Sequence, residues 1–325
     1  MVYLFIDSLA KEYPVRIVCE VLSVSFSSFY AWKRQKTYVL SQKKKYLSKK
    51  VKEIFDEHRS RYGALRISAE LKAQGEKIGP KLTQTLMKSQ DLKAIQPKSF
   101  VPKTTNSNHG LVRSDNLLLD RESVKEINEV FVGDITYIPM SNGSWLYLAS
   151  WQDMKSRKIV GWELADNMRS QLVISALQKA IDRRELLEGL IIHSDGGGQY
   201  ASKEFRDLLQ KHKFKQSMTR RDNHYDNAMG ESFFSRFKAE LIQKGGFLNF
   251  EDAYTEIFEY IEIYYNLKRR HSGIGYAIPE EYEIKFVNDG NRIYVCEEKI
   301  AKPLPNEWVQ SASIVSKKIA SQNVY

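Results

Sequence analysis

The chain has 325 residues, 42% of them hydrophobic, so it can bury a sizeable core, and its length predicts two or three domains. No apolar run approaches the roughly 18 residues needed to span a bilayer, and no secretion signal follows Met1, which favours a cytoplasmic protein without a membrane partner. The two cysteines, Cys19 and Cys296, lie far apart without metal-binding neighbours, which argues against a disulfide framework and a zinc finger.

Positive charge is concentrated in the N-terminal part of the chain. Residues 1–120 contain 22 Lys and Arg against 11 Asp and Glu, whereas the whole chain has a net charge of only +10. Clustered Lys and Arg displace condensed counterions from nucleic acid, so this region predicts a polyanionic partner. A basic surface that only aids solubility is the alternative.

Two helix-turn-helix-like units are predicted within residues 1–94. In the first, residues 14–32 form two short helices with a break near Ser23, and Ser25 is the N-cap of the second helix. The second unit reads "ALRISAELKAQ", "GEKIGP" and "KLTQTLMKSQ", with Pro80 at a first helical position. If it enters a DNA groove, the candidates for contact are Lys81, Thr83, Gln84 and Lys88. An ordinary helical hairpin is the alternative for either unit.

A basic linker over residues 95–120 separates this region from a domain with a different pattern. Prolines, small polar residues and basic side chains in "IQPKSFVPKTTNSNHGLVRSDN" are typical of an extended connection. The following segments then predict three antiparallel strands, with Asn142-Gly143 as a hairpin turn, and alternating helices and strands after them. The expected fold is an α/β domain with a mixed five-stranded sheet and helices on both faces.

Three acidic residues occupy distinctive positions in this domain. Asp134 lies within the first strand on a face that is otherwise apolar, which is unfavourable unless another group compensates its charge. Asp195 ends the fourth strand and is followed by three glycines, and ligands of open α/β sheets gather at such strand ends. Glu231 falls at the border of the aromatic stripe of a helix over residues 227–243, and Lys238 falls on the same border.

Two aspartates and one glutamate are a sufficient ligand set for phosphoryl transfer with two metal ions. Mg²⁺ prefers hard oxygen ligands, and paired ions activate the attacking oxygen and stabilise the leaving oxygen. Repulsion among the three carboxylates raises their pKa values without the cations, so metal binding is expected to order the site. Three acidic residues at a chosen spacing arise easily by chance, so the evidence for a catalytic site depends on the motifs around them.

Those motifs resemble the insertion-sequence transposases of the OrfB type, whose D-D-E catalytic core is similar to retroviral integrases and RNase H. They are "VFVGDITYIP", "SRKIVGW", "IIHSDGGGQYAS", "YDNAMGESFFSRFKAEL" and "YYNLKRRHSGIGYAIP". The resemblance runs from about residue 2 to residue 284. Asp195 and Glu231 are separated by 35 residues, which is the spacing that gives this D-D-E group its usual name. The resemblance implies that residues 121–284 form an RNase H-like integrase core and that an all-α helix-turn-helix region precedes it.

The resemblance also implies roles for individual residues. Asp134, Asp195 and Glu231 would bind two Mg²⁺ or Mn²⁺ ions, and Lys238 would contact DNA near the scissile phosphate. The signature that contains Tyr265, Asn266, Arg270 and His271 would lie near the DNA or brace the active site, and a structural cap is the alternative for Arg270 and His271. Supporting positions are His193, for which a packed or second-layer histidine is the alternative, and Asn227. Asp153 and Asp226 are interpreted as a turn former and a helix cap.

Some positions depart from the family pattern. Many relatives have Arg or Gln where this chain has Gly196, and a Gly and a Cys in place of Asp222 and His224, but no metal ligand is lost. The tail over residues 285–325 is atypical, since the resemblance stops before it. It is either a genuine extension or a reading frame that continues past the usual end, in which case it is disordered and dispensable.

The function that the resemblance implies is DNA transposition. Metal-activated water cleaves at the element's ends, and each exposed 3′-hydroxyl then attacks another phosphodiester. The partners are the terminal inverted repeats, target DNA, further copies of the chain on DNA, and an upstream-frame partner or fusion, in the nucleoid of a bacterial cytoplasm. A decayed or repurposed transposase that only binds DNA is the alternative, and a general RNase H-like nuclease is a third interpretation.

Overall fold

The computed structural model describes residues 2–34, 42–97, 113–119, 121, 123–220, 228–242 and 245–289. The chain divides into two compact units, Met1–Ala94 and Ile95–Tyr325, and each is described by itself. The predicted tail lies outside the described residues from 290 onward, as do residues 98–112 of the predicted linker.

The first unit opens with three short helices around a small apolar core. They are α1 (Val2–Leu9), α2 (Val15–Val21) and α3 (Phe26–Lys33). Their buried residues are Ile6, Val18, Cys19 and Phe29, so Cys19 is a packed thiol. Ser23 adopts a left-handed φ of 52° at the predicted break, and Ser25 occupies the N-cap position of α3. In the described segments no single helix is long and apolar enough to cross a membrane, and only α2 with α3, bent by 120°, passes that test as a pair.

A second group of helices in this unit has its own core. It consists of α4 (Gln42–Glu57), α5 (Ala64–Ala73) and α6 (Pro80–Ser89), and Pro80 begins α6 as predicted. The buried residues include Leu47, Val51, Ile67, Leu71 and Leu86. Lys81, Gln84 and Lys88 are exposed on α6. The groove-facing prediction for Thr83 is wrong, because its side chain is fully buried and Oγ1 donates to the Gly79 carbonyl at 3.1 Å.

The second unit is built on a five-stranded mixed sheet. Its strands are β1 (Val130–Pro139), β2 (Trp145–Asp153), β3 (Ile159–Ala165), β4 (Ile191–Ser194) and β5 (Lys215–Met218), in the order β3-β2-β1-β4-β5. The first three strands pair antiparallel, and β4 pairs parallel with both β1 and β5. The predicted meander followed by alternating helix and strand is therefore confirmed.

Helices cover both faces of the sheet, as expected. On one face α7 (Ser170–Arg183) and α8 (Lys203–Lys211) share a core with Phe131 and Trp151. On the other face α9 (Ala228–Phe237) and α10 (Phe250–Phe258) pack with the next residues of the chain against Ile138 and Leu148. α11 (Pro279–Asn288) follows a short 3₁₀ helix, Ser272–Ile274. The period-two alternation of β1 thus separates two layers of core.

The structure differs from the prediction of one helix over residues 227–243, and two helices on this face change to π-helical geometry. α9 continues as a π-helical segment, Lys238–Ile242, and α10 continues as another, Glu259–Tyr265. These segments bring Glu240 and Tyr260 together with Arg269. Glu240 accepts hydrogen bonds from Arg269 Nε (3.0 Å), Arg269 Nη2 (2.5 Å) and the Tyr260 hydroxyl (2.9 Å). A carboxylate inside an apolar helix face is therefore explained by a buried ion pair.

Glu240→Gln is expected to destabilise the second unit strongly. The substitution leaves the buried guanidinium of Arg269 without its counter-charge, and breaking such a pair costs about 3–5 kcal/mol. Urea unfolding of both proteins measures the loss. The matched double variant Glu240→Met/Arg269→Met removes both charges and should lose much less, whereas equal losses in the two variants would contradict this explanation.

A second buried ionic network fixes α11 to the sheet. Arg184 Nη2 donates to both carboxylate oxygens of Glu283 at 2.8 Å, and Ser156 Oγ donates to Glu283 Oε1 at 2.6 Å. Lys158 Nζ lies 3.3 Å from Glu283 Oε2. Burial alone would raise the pKa of Glu283, but the charges of Arg184 and Lys158 and the hydrogen bond from Ser156 hold that pKa below its ordinary value. Glu283 therefore stays ionised in the folded protein.

This depressed pKa gives Glu283 a pH-dependent contribution to stability. The contribution is fully present above the unfolded pKa of about 4.3 and is lost as the pH falls through the lower, folded pKa. The free energy of unfolding should therefore be larger for the wild type than for Glu283→Gln at neutral pH, and the difference should shrink on acidification. Urea titrations of both proteins between about pH 3 and pH 7 measure it. A difference that grows toward low pH would contradict this prediction.

Candidate active site

Two of the three predicted acids lie side by side on the adjacent inner strand β1 and directly after the inner strand β4. They mark the edge of the sheet that is formed by the carboxyl end of β4. β1 and β4 run parallel with Val132 paired to His193, and Asp134 and Asp195 each follow two residues later. Asp134 is paired on its other side with Ser150 of β2, so β1 is a central strand. Because Asp195 comes directly after β4, the site lies at the carboxyl end of a parallel strand, where α/β sheets bind ligands.

The two aspartates are held by local hydrogen bonds from the backbone. Asp134 Oδ1 accepts from the N–H of Ile135 at 2.8 Å, and Asp195 Oδ1 accepts from the N–H of Gly197 at 2.9 Å. Both side chains are partly buried. The glycine run after Asp195 lets the chain turn here without covering the carboxylate.

The electrostatics of the site show an excess of negative charge. Burial raises the pKa of Asp134 well above its ordinary value, and the charge of Asp195 raises it further. The charge of Glu231 acts in the same direction, while the Ile135 N–H and the charge of Lys238 lower the pKa of Asp134. Asp134 therefore holds its proton to a higher pH than an exposed aspartate does.

Glu231 lies in the first turn of α9, and its charge acts on Asp134. The helix is anchored by buried Phe233, Phe234 and Phe237, and Met229 packs on the cluster that contains Val130 and Val132 of β1. The Glu231 side chain itself is exposed. Among the residues that the structure describes, no group of three His, Cys, Asp or Glu side chains is arranged to hold a metal ion. The two aspartates are adjacent, and the charge of Glu231 acts on Asp134. Among the described residues, Glu231 does not complete a three-carboxylate metal site with them.

Tyr200 is a residue of this site that the sequence analysis did not single out. Its hydroxyl is buried and has no hydrogen-bond partner among the described residues. Burial and then the charges of Asp195 and Asp134 raise its pKa well above the ordinary value, so the hydroxyl stays protonated near both aspartates. The signal in the sequence is its place five residues after Asp195, within the motif "IIHSDGGGQYAS". An unsatisfied hydroxyl beside oxygen-only ligands fits a hydrated Mg²⁺ ion.

Lys238 provides positive charge on the same side. It is the first residue of the π-helical segment and is partly buried. Burial lowers the pKa of Lys238, and the charge of Asp134 opposes that shift. The prediction places Lys238 by counting 100° per residue along one α-helix, and this count does not apply because Lys238 follows the end of α9. The effect of Asp134 on its pKa nevertheless shows that Lys238 lies near that aspartate.

The remaining predicted residues have contacts within the protein. His193 is fully buried, with Nδ1 2.8 Å from Ser217 Oγ. Asn266 accepts from the Ile159 N–H at 2.9 Å and donates to the Ile159 carbonyl at 3.0 Å, which joins it to the start of β3. Asn227 lies outside the described residues.

Arg270 and His271 make contacts in the turn after the last π-helical segment. Arg270 Nη1 donates to the Tyr276 carbonyl at 3.0 Å. His271 Nδ1 accepts from the Gly273 N–H at 3.1 Å and caps the 3₁₀ helix. These are the contacts expected of the structural alternative.

The turn-former interpretation of Asp153 agrees with its contacts. Its carboxylate is fully buried and accepts from the backbone N–H groups of Asn128 (2.7 Å), Lys155 (2.8 Å) and Ser156 (2.8 Å). Asp226, interpreted as a helix cap, lies outside the described residues.

Comparison with solved structures finds integrase cores at low similarity. The catalytic core domain of BIV integrase is 14% identical, with a TM-score of 0.37, over 50% of this chain and 98% of that chain. The HTLV-2 integrase catalytic core domain in complex with magnesium is 17% identical, with a TM-score of 0.36, over 47% of this chain and 95% of that chain.

Comparison by sequence is more specific. Residues 125–224 and 231–286 each match an integrase core domain family, and residues 41–100 match an HTH-like domain family. The transposase InsF for insertion sequence IS3A of Escherichia coli (strain K12) is 36% identical over 88% of this chain and 99% of its own length. The transposase for insertion sequence element IS904 of Lactococcus lactis subsp. lactis (strain IL1403) is 40% identical over 73% of this chain and 93% of its own length. The chain therefore belongs to the IS3-type insertion-sequence transposases, enzymes with an integrase core and an HTH-like domain.

Proposed function

We propose that this transposase cleaves DNA at the ends of its insertion element and joins each 3′-hydroxyl to a new phosphodiester. The observation that carries the proposal is the adjacent placement of Asp134 and Asp195 on parallel strands, within electrostatic range of Glu231 and Lys238. This arrangement concentrates carboxylate oxygens at a sheet edge, and hydrolysis and transfer of phosphodiesters need such a ligand set.

Asp134, Asp195 and Glu231 would hold two Mg²⁺ or Mn²⁺ ions. When bound, the ions supply activation of the attacking oxygen and stabilisation of the leaving oxygen. The raised pKa of Asp134 supports this assignment, because burial and the neighbouring carboxylates disfavour its negative charge, and a divalent cation would compensate that charge. Glu231, on the exposed first turn of α9, would close on the aspartates only when cations offset the repulsion.

The chain's own side chains then bind and orient DNA. Lys238 places a positive charge beside Asp134, where it can hold a phosphate near the scissile bond. The hydroxyl of Tyr200 can donate a hydrogen bond toward the aspartates from the buried side of the site. Neither role requires a covalent bond between protein and DNA, in contrast to recombinases with Ser or Tyr nucleophiles.

The helical unit would recognise the element's ends. Exposed Lys81, Gln84 and Lys88 on α6 would contact the terminal inverted repeats, and the integrase core would receive both these ends and the target DNA. We infer that two or more copies act together on the DNA in the bacterial nucleoid, with an upstream-frame partner or fusion.

Asp134→Asn and Asp195→Asn should each abolish strand transfer and leave binding to the terminal repeats largely intact. Each change removes an anionic metal ligand while keeping nearly the same shape. A strand-transfer assay with labelled terminal repeats and Mg²⁺ measures the first effect, and a gel-shift assay measures the second.

Asp207→Asn is the matched control, because Asp207 is exposed on α8. Mg²⁺-dependent strand transfer by either active-site variant would overturn the proposed function. A wild-type protein that binds the repeats but transfers no strand with Mg²⁺ or Mn²⁺ would instead support the DNA-binding alternative.

Lys88→Ala should weaken binding to DNA and make it less sensitive to salt. One lost phosphate contact lowers the slope of log K against log salt by about one. Fluorescence anisotropy at several salt concentrations measures the slope. Lys72→Ala, which removes an equally exposed lysine from α5, is the comparison, and equal effects of the two changes would show that α6 has no special contact with DNA.

A further inference from the structure

Arg113 extends from the segment before β1 to the glycine that follows Asp195. A Cβ atom added to Gly196 would collide with the guanidinium of Arg113, at Nη2, Cζ and Nε. The guanidinium thus occupies the space that any side chain at position 196 would need. Gly196 allows this close approach, and a side chain at position 196 would displace the end of the Arg113 side chain, so the two residues are sterically coupled.

The guanidinium is incompletely satisfied within the protein. Arg113 Nε and Nη1 are buried and have no hydrogen-bond partner among the described residues. A buried donor without an acceptor lowers the stability of the folded protein, and the loss is larger when the group is charged. An acceptor that the described residues do not supply would remove this loss.

The segment that carries Arg113 is firmly attached to β5. Ser114 Oγ donates to Gln216 Oε1 at 2.8 Å, and the N–H of Met218 donates to the Asp115 carbonyl at 3.2 Å. The N–H of Leu117 donates to Ser217 Oγ at 2.9 Å. These contacts fix the backbone next to Arg113, so its position beside Gly196 is built into the fold.

The same segment is connected to the strands that carry the aspartates. Ser217 Oγ, which accepts from Leu117, also lies 2.8 Å from Nδ1 of His193, two residues before Asp195. Leu118 packs against the cluster of Val130, Val132 and Ile191. His193 therefore links β4 to the segment, which gives this predicted supporting residue a specific contact.

We propose that Arg113 binds a phosphate of the DNA beside Asp195. A guanidinium donates charge-assisted hydrogen bonds to phosphate oxygens, and these are stronger than hydrogen bonds between neutral groups. The partner must supply acceptor atoms, because both unsatisfied atoms are donors, and the positive charge of the guanidinium favours an anion. The inference rests on the proposed function, since it places substrate DNA at the edge that carries Asp134 and Asp195.

Arg113→Met tests the proposal in the full-length protein, because methionine keeps an aliphatic side chain and removes the donors. Its affinity for a duplex with the element's terminal repeat should fall about tenfold, which corresponds to one hydrogen bond to a charged group. The slope of log K against log salt should fall by about one, and an unrelated duplex should be affected alike, since a phosphate contact carries no sequence information. Unchanged affinity and slope would overturn the proposal.

Lys211→Ala is the matched control for the loss of one positive charge. Lys211 is exposed at the end of α8, which leads into the start of β5, at the opposite edge from Asp195. This variant should bind DNA like the wild type. A decrease as large as that of Arg113→Met would show that only net charge matters and would overturn the proposal.

A conservative variant separates binding from folding. Arg113→Lys keeps a positive charge on a long side chain at the same position, so it should retain most of the affinity and salt slope that Arg113→Ala loses. Equal losses in Arg113→Lys and Arg113→Ala, with a lowered unfolding temperature in Arg113→Met, would assign Arg113 a structural role only. Strand transfer by Asp195→Asn would overturn the proposed function, whereas wild-type DNA binding by Arg113→Met would overturn the phosphate contact alone.

Discussion

The parallel pairing of β1 with β4 is the constraint on which the site depends. Three residue pairs, from Val130–Ile191 to Val132–His193, set Asp134 and Asp195 two residues beyond the last pair. Apolar side chains on these strands are buried beneath α9, so a shift in register would expose them and turn both acids to the wrong face. The repulsion between the two carboxylates is therefore opposed by backbone hydrogen bonds and core packing.

The buried charged groups at this edge differ from two buried glutamates elsewhere in the core in how their charges are paired. Glu240 and Glu283 are also buried, but each is paired with an arginine inside the chain. Asp134 has a raised pKa, and the donors of Tyr200 and Arg113 are unsatisfied among the described residues. Among the described residues, three of the six buried side-chain atoms without a hydrogen-bond partner belong to Tyr200 and Arg113. Perturbed groups that lie together in this way are a mark of function.

Local patterns predicted most of the fold. The alternation in β1, the Asn142-Gly143 turn and the start of α6 at Pro80 depend on neighbouring residues only, and all appear in the structure. The π-helical segments could not be predicted in this way, because Glu240 meets Arg269 across 29 residues. Thr83 was misassigned because a polar side chain on an exposed helix was expected to face outward, whereas its hydroxyl bonds to the backbone one turn earlier.

The site also combines residues that local motifs predict with residues whose role appears only in the folded chain. Asp134, Asp195 and Glu231 stand in recognisable motifs, but Tyr200 and Arg113 matter through unsatisfied atoms that only the folded chain reveals. The carboxylates and the guanidinium carry opposite charges, so a cation would compensate the carboxylates and an anion would compensate the guanidinium. Under the proposed function, a DNA phosphodiester bound together with metal ions would supply both at once. Binding of either alone would leave the other charge uncompensated, so metal and DNA should each strengthen the binding of the other at this edge.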